Sequence, residues 1–183
     1  MTVGVLALQG DFAEHINVLR SIGAETKEVR TCEDFSGVDA LVIPGGESTV
    51  MMTLLKTSGL DRAIVDRCKR GMPVFGTCAG AILLSDSHLH IMDITMDRNA
   101  YGSQAQSFSE HITVDGTGSM PVSFIRAPKI TAKGPGVRVL AECLGAPVLV
   151  QEGKRIAACF HPELHGEGGL HRRFLEECEV LSK

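Results

Sequence analysis

Cys78 sits in the stretch Phe75-Gly-Thr-Cys-Ala-Gly-Ala81, where an apolar run gives way to a small-residue turn and then to the amphipathic run 81–84. This is the Gly-x-nucleophile-x-Gly pattern of a nucleophile elbow, with cysteine in place of serine. The glycines are required because the turn is too tight for a Cβ and neighbouring chains pack close. A helix starting behind Cys78 supplies positive potential that favours a thiolate. The Ala79 N–H is then aimed where an oxyanion would develop. A buried cysteine in a tight strand–helix turn is the plain alternative.

Phe160-His-Pro-Glu-Leu164 offers a base and its orienting group. Pro162 disfavours helix at His161 and fixes its own φ, so the segment is expected to stay extended. In extended chain residues i and i+2 point the same way, so His161 and Glu163 address one site together. Alone, the pair reads as a surface histidine beside a solvated glutamate. Joined to the elbow it completes a nucleophile, a base and an orienting carboxylate. A third stretch, Pro44-Gly-Gly-Glu-Ser-Thr49, follows a buried strand, where open α/β sheets bind ligands. Gly45 and Gly46 leave backbone N–H groups open to a substrate or an oxyanion. The Walker lysine and its spacing are missing, so a phosphate loop is excluded. A turn with a helix cap is the bland reading of this stretch.

The elements that must position these groups alternate in the first 85 residues. Residues 3–8 and 40–43 are continuous apolar runs, as central parallel strands covered on both faces require. Residues 11–22 form a helix with an apolar stripe of Phe12, Ile16 and Leu19, and Gly23 ends it. A helix opening at Glu47 or Ser48 runs through Met51, Met52, Leu54 and Leu55. Another covers 59–69, before a strand at 73–77. The second half reads as strands at 112–114, 122–125, 137–142, 148–151 and 155–160, then a helix over 169–181. Alternation at this spacing predicts a parallel sheet with right-handed crossovers, in one domain over 1–183: a three-layer α/β sandwich.

Taken together, these stretches resemble the class I glutamine amidotransferases, in which Cys, His and Glu form a triad on a flavodoxin-like sheet. The chain is more similar still to the glutaminase subunits of pyridoxal 5′-phosphate synthase. Gly4-Val-Leu-Ala-Leu-Gln-Gly-Asp-Phe-Ala-Glu-His15, Asn99-Ala-Tyr-Gly-Ser-Gln104 with Ser107-Phe108, and Phe124-Ile-Arg-Ala-Pro128 carry that closer likeness. The resemblance implies hydrolysis of L-glutamine by Cys78, His161 and Glu163, with no cofactor and no metal. It implies an oxyanion hole of the Gly46 and Ala79 N–H groups. It assigns glutamine binding to Gly46, Glu47, Ser48, Ile125 and Arg126, whose guanidinium suits an α-carboxylate. Ser103 joins this set as a departure: the family reads Tyr-Gly-Arg-Gln where this chain reads Tyr101-Gly-Ser-Gln104, and serine supplies neither the charge nor the reach. The resemblance also implies a hetero-oligomer in which ammonia passes, unreleased, to a barrel-shaped synthase subunit making pyridoxal 5′-phosphate from a pentose phosphate and a triose phosphate.

Composition fits this expectation. At 44% hydrophobic and 22% charged residues, the chain reads as a soluble globular protein. A formal net charge of -4 argues against a dedicated nucleic-acid partner. No apolar run approaches the ~20 residues that cross a bilayer. The opening stretch lacks a basic region and a cleavage site, so a cytoplasmic protein is expected. The six cysteines contain no Cys-x-x-Cys pair and match no zinc site. His88-x-His90 lacks a third partner and reads as solvated surface. Glu176, Glu177 and Glu179 read as a solvated helix face, and Asp11, Glu14 and His15 as an exposed polar face near the site's mouth. Two other functions remain open on the residues: a glutaminase of another pathway, such as histidine or purine synthesis, and a non-catalytic redox-sensing module using Cys78.

Overall fold

The apolar runs become strands and the striped runs become helices in the computed structural model, which describes residues 1–98, 107–166 and 168–179. The order is β1 (Thr2–Leu6), α1 (Phe12–Ser21), β2 (Glu25–Val29), α2 (Cys32–Phe35), β3 (Ala40–Ile43), α3 (Ser48–Ser58), α4 (Leu60–Lys69), β4 (Val74–Thr77) and α5 (Ala79–Leu84). There follow β5 (Ile94–Asp97), β6 (Phe108–Val114), β7 (Gly118–Phe124), β8 (Lys129–Lys133), β9 (Arg138–Cys143), β10 (Ala146–Glu152), β11 (Arg155–Ala158), a 3-10 turn (Pro162–His165) and α6 (Gly169–Glu179).

A seven-stranded sheet runs β2-β1-β3-β4-β11-β10-β9. The first five strands pair in parallel, and β10 and β9 are added antiparallel. Every residue of β3 and β4 is buried, as cover on both faces demands. Two helical groups supply that cover: α1 packs with α6, and α3 with α4 and α5. The sheet is mainly parallel and the class is α/β, as the sequence predicts.

The sequence reading passes over three strands. β2 is Glu-Thr-Lys-Glu-Val at the sheet's edge, where one flank needs no partner and polar residues are tolerated. β5 and β8 form a separate two-stranded ribbon with too little apolar alternation to be seen. The expected strand 155–160 is shorter, ending at Ala158. Parallel pairing puts the carboxyl ends of β1, β3, β4 and β11 on one edge of the sheet, and the loop after each carries one of the motifs. That edge is where the chemistry must lie.

Candidate active site

Cys78 follows β4 directly and has φ 49 and ψ -108, a backbone region that costs a non-glycine residue strain. Its N–H donates to the Ala158 carbonyl at 2.8 Å and its own carbonyl accepts from Ile82 N–H at 3.2 Å, so the ladder on one side and α5 on the other hold the turn. Gly80 lets α5 start against the end of β3: a Cβ there would sit 2.0 Å from the Ile43 carbonyl oxygen. The thiol is 7% exposed and lies 3.8 Å from the Ile125 carbonyl oxygen.

His161 comes from the loop after β11. Its N–H donates to the Ser123 carbonyl at 2.9 Å, tying the loop to β7. The expected extended segment is not what forms: Pro162 opens a 3-10 turn instead, because proline's fixed φ suits a first helical position. Strand alternation therefore does not bring Glu163 under the imidazole; the tight turn does. Glu163 Oε1 lies 2.7 Å from His161 Nδ1. Cys78 acts on the same imidazole and favours its charged form. Burial opposes the imidazolium, but the hydrogen bonds and negative charge of Cys78 and Glu163 outweigh it and raise His161 to about 10. Burial raises the Glu163 carboxyl, against the pull of His161.

The loop after β1 brings a second carboxylate that the motifs do not announce. Asp11 is the N-cap residue of α1, yet its side chain makes no capping bond. Its Oδ2 lies 3.3 Å from His161 Nδ1 instead. The helix thereby forgoes a cap worth about 1 kcal/mol. Asp11, His161 and Glu163 place donor atoms within 4.8 Å of one another, a spacing that shared contact with one imidazole already explains.

The loop after β3 closes over the same ring. A Cβ on Gly45 would meet His161 Cε1 at 2.4 Å, so only glycine fits. Asp11 N–H donates to the Gly45 carbonyl at 3.2 Å, and a trans peptide then aims the Gly46 N–H the opposite way. Glu47 N–H donates to Gln9 Oε1 at 2.8 Å. The Glu47 carboxylate caps α3 through the N–H groups of Val50 and Thr49, which hold its pKa down, and it pairs with Arg98 at 3.2 Å. Its side chain thus serves the loop's shape. Ser48, the first residue of α3, is buried, and Ala79 opens α5 beside Cys78. Ile125 and Arg126 are exposed next to the thiol, and Arg126 has φ 46. Ser103 lies outside the described residues.

His15 is not on an exposed polar face: it is 0% exposed. Its Nδ1 lies 2.8 Å from His171 Nε2, and its Nε2 lies 3.0 Å from Thr77 Oγ1 and 3.4 Å from Glu163 Oε2. The spacing held the signal, since His15 falls between Phe12 and Leu19 on the apolar stripe of α1. Met51 is core. Burial, His171 and His161 lower His15 well below 6.5, and burial lowers His171 to about 4, so both are neutral imidazoles. No helix among the described residues is long and apolar enough to cross a membrane.

Known proteins resemble this chain over nearly its whole length. The chain is 47% identical over 183 residues to the pyridoxal 5′-phosphate synthase subunit PdxT of Thermus thermophilus, covering 95% of this chain and 96% of that one. It is 45% identical over 185 residues to the subunit of the same name from Thermotoga neapolitana, covering 96% and 98%. A crystal structure of a glutamine amidotransferase superposes with a TM-score of 0.92 at 45% identity, covering 97% of this chain and 98% of that one. Residues 5–180 match the SNO glutamine amidotransferase family, and the chain belongs to that family.

Proposed function

We propose that this chain is the glutaminase subunit of a pyridoxal 5′-phosphate synthase, hydrolysing L-glutamine to L-glutamate and ammonia. The observation that carries the reading is the His161 imidazole, which lies 2.7 Å from the buried Glu163 carboxylate and whose charged form Cys78 favours, in a chain so similar over its length to pyridoxal 5′-phosphate synthase subunits. The thiolate attacks the side-chain amide carbon, and the oxygen's negative charge is taken up by the Ala79 and Gly46 N–H groups. The His161 imidazolium gives its proton to the leaving nitrogen, so ammonia departs and a thioester remains. His161 then takes a proton from water as it attacks the thioester, and the proton returns to sulfur as glutamate leaves. Glu163 keeps the ring in place and supports its charge throughout. Arg126 and Ile125 are assigned to the glutamine pocket with the backbone of Gly46, Glu47 and Ser48.

The partner in this reading is a barrel-shaped synthase subunit, in a cytoplasmic hetero-oligomer through which ammonia passes without release. Ammonia production from glutamine, with and without that subunit, tests it on wild type and Cys78→Ala. Wild type is expected to turn over and the folded variant to be inert; turnover by Cys78→Ala refutes the assignment.

A further inference from the structure

Glu163 spends only one of its oxygens on His161. The other, Oε2, is buried and has no hydrogen-bond partner among the described residues. A buried carboxylate oxygen left bare costs free energy, and what stands nearest decides how that cost is met. His15 Nε2 is 3.4 Å away. The same nitrogen is 3.0 Å from the hydroxyl of Thr77, the residue preceding the nucleophile.

The proton placement follows from counting. His15 and His171 share one hydrogen bond, so one ring donates and the other accepts. If His15 donated from Nδ1, its Nε2 lone pair would face the Glu163 carboxylate, like against like. If His171 Nε2–H donates, His15 becomes the Nε2–H tautomer, whose proton goes to Thr77 Oγ1 at 3.0 Å and whose positive ring edge lies 3.4 Å from Oε2. In that arrangement the orphan left on His171 is Nδ1, a bare acceptor in place of a stranded donor. The titratable groups facing Glu163 are then His161, His15 and Asp11. Those facing His15 are His171, His161 and Glu163.

We propose that His15, set in its Nε2–H tautomer by His171, is a positioning residue for the glutaminase reaction: it holds the second oxygen of Glu163, so that the first is presented squarely to His161. α1 and α6 would then carry part of the active site, though neither bears a member of the triad. The inference rests on the glutaminase reading above. Groups that orient a working imidazole typically contribute about 10- to 100-fold.

Two substitutions separate positioning from packing. A glutamine amide nitrogen reaches the place of Nε2, whereas asparagine reaches only that of Nδ1. His15→Asn is expected to lower kcat by roughly 10- to 100-fold with KM for glutamine nearly unchanged. The acid limb of its pH profile should move to higher pH, because Glu163 loses the positive ring edge that faces its charged form. His15→Gln should recover most of kcat and the original profile. Wild-type kcat and pH profile in His15→Asn overturn the proposal, and so does equal loss in both variants at an unchanged profile. Should either variant fail to fold, the ring-nitrogen NMR shifts of the wild-type chain decide: the Nε2–H form of His15 supports the proposal and the Nδ1–H form overturns it. Cys78→Ala in the same assay keeps the two readings apart, since turnover there sinks the glutaminase assignment while the tautomer readout stands by itself.

Discussion

Gly45 and His161 touch so closely that the Cβ of any other residue would fall 2.4 Å from the ring's Cε1. The glycine loop after β3 and the imidazole after β11 are thus two halves of one fitted surface. Gly45→Ala should push the ring off Nδ1 contact with Glu163. We expect turnover to fall by more than about 10-fold, since displacements near 1 Å cost on the order of 100-fold. Unfolding midpoints should drop far less than for Gly80→Ala, whose Cβ would strike backbone 2.0 Å away. Ammonia assays beside thermal melts check the pair; unaltered kinetics in Gly45→Ala count against the placement of His161.

Glu163→Gln keeps the shape of the site and removes the charge behind the imidazole. Loss of an orienting carboxylate in a triad costs on the order of 10³–10⁴-fold in kcat. The raised pKa of His161, near 10 through Cys78 and Glu163 against the opposing effect of burial, should fall with it. A pH titration of the His161 ring by NMR measures this. An unmoved titration in the variant removes Glu163 from the role given to it.

The buried histidines make stability depend on acid. His171 is pulled by burial from 6.5 to about 4, so between those values the unfolded chain takes up a proton that the folded chain refuses. Stability from this residue is full above about 6.5 and declines as pH falls towards 4, by on the order of 3 kcal/mol. His15, also lowered, acts in the same direction. His161 runs the other way: its contribution is present below about 6.5 and lost as pH rises through about 10. Urea midpoints across the acid range should fall more steeply for wild type than for His171→Phe. Parallel slopes would show that His171 is not the group responsible.

Turnover should also depend on the synthase subunit. The Gly45–Gly46 peptide is a two-glycine link whose carbonyl accepts from Asp11 N–H, and a flip there would redirect the Gly46 N–H. The chain alone is expected to release ammonia slowly and the mixed complex quickly. Equal rates dispose of this coupling.

The two short motifs at Cys78 and His161 pointed to one place in the fold because local backbone rules act over a few residues. Residues 40–43 and 73–77 announced buried strands through unbroken apolarity, and both are there. What stayed hidden depends on contacts far apart in the chain. His15 looked exposed beside Asp11 and Glu14, since nothing local says that α6 will bring His171 against it. Asp11 reads in sequence as part of an exposed polar face, and only the loop after β11 shows its carboxylate beside His161. Pro162 was read as preserving an extended chain, whereas its ring geometry also starts a tight turn.

That diverted carboxylate leaves the first turn of α1, at the rim of the site, without its side-chain cap. A visiting cation that paired with the Asp11 carboxylate would draw it off the ring and leave His161 to Glu163 alone. Contact at the end of one helix would then be felt at the reacting ring in a single step, with no long-range rearrangement to carry the message.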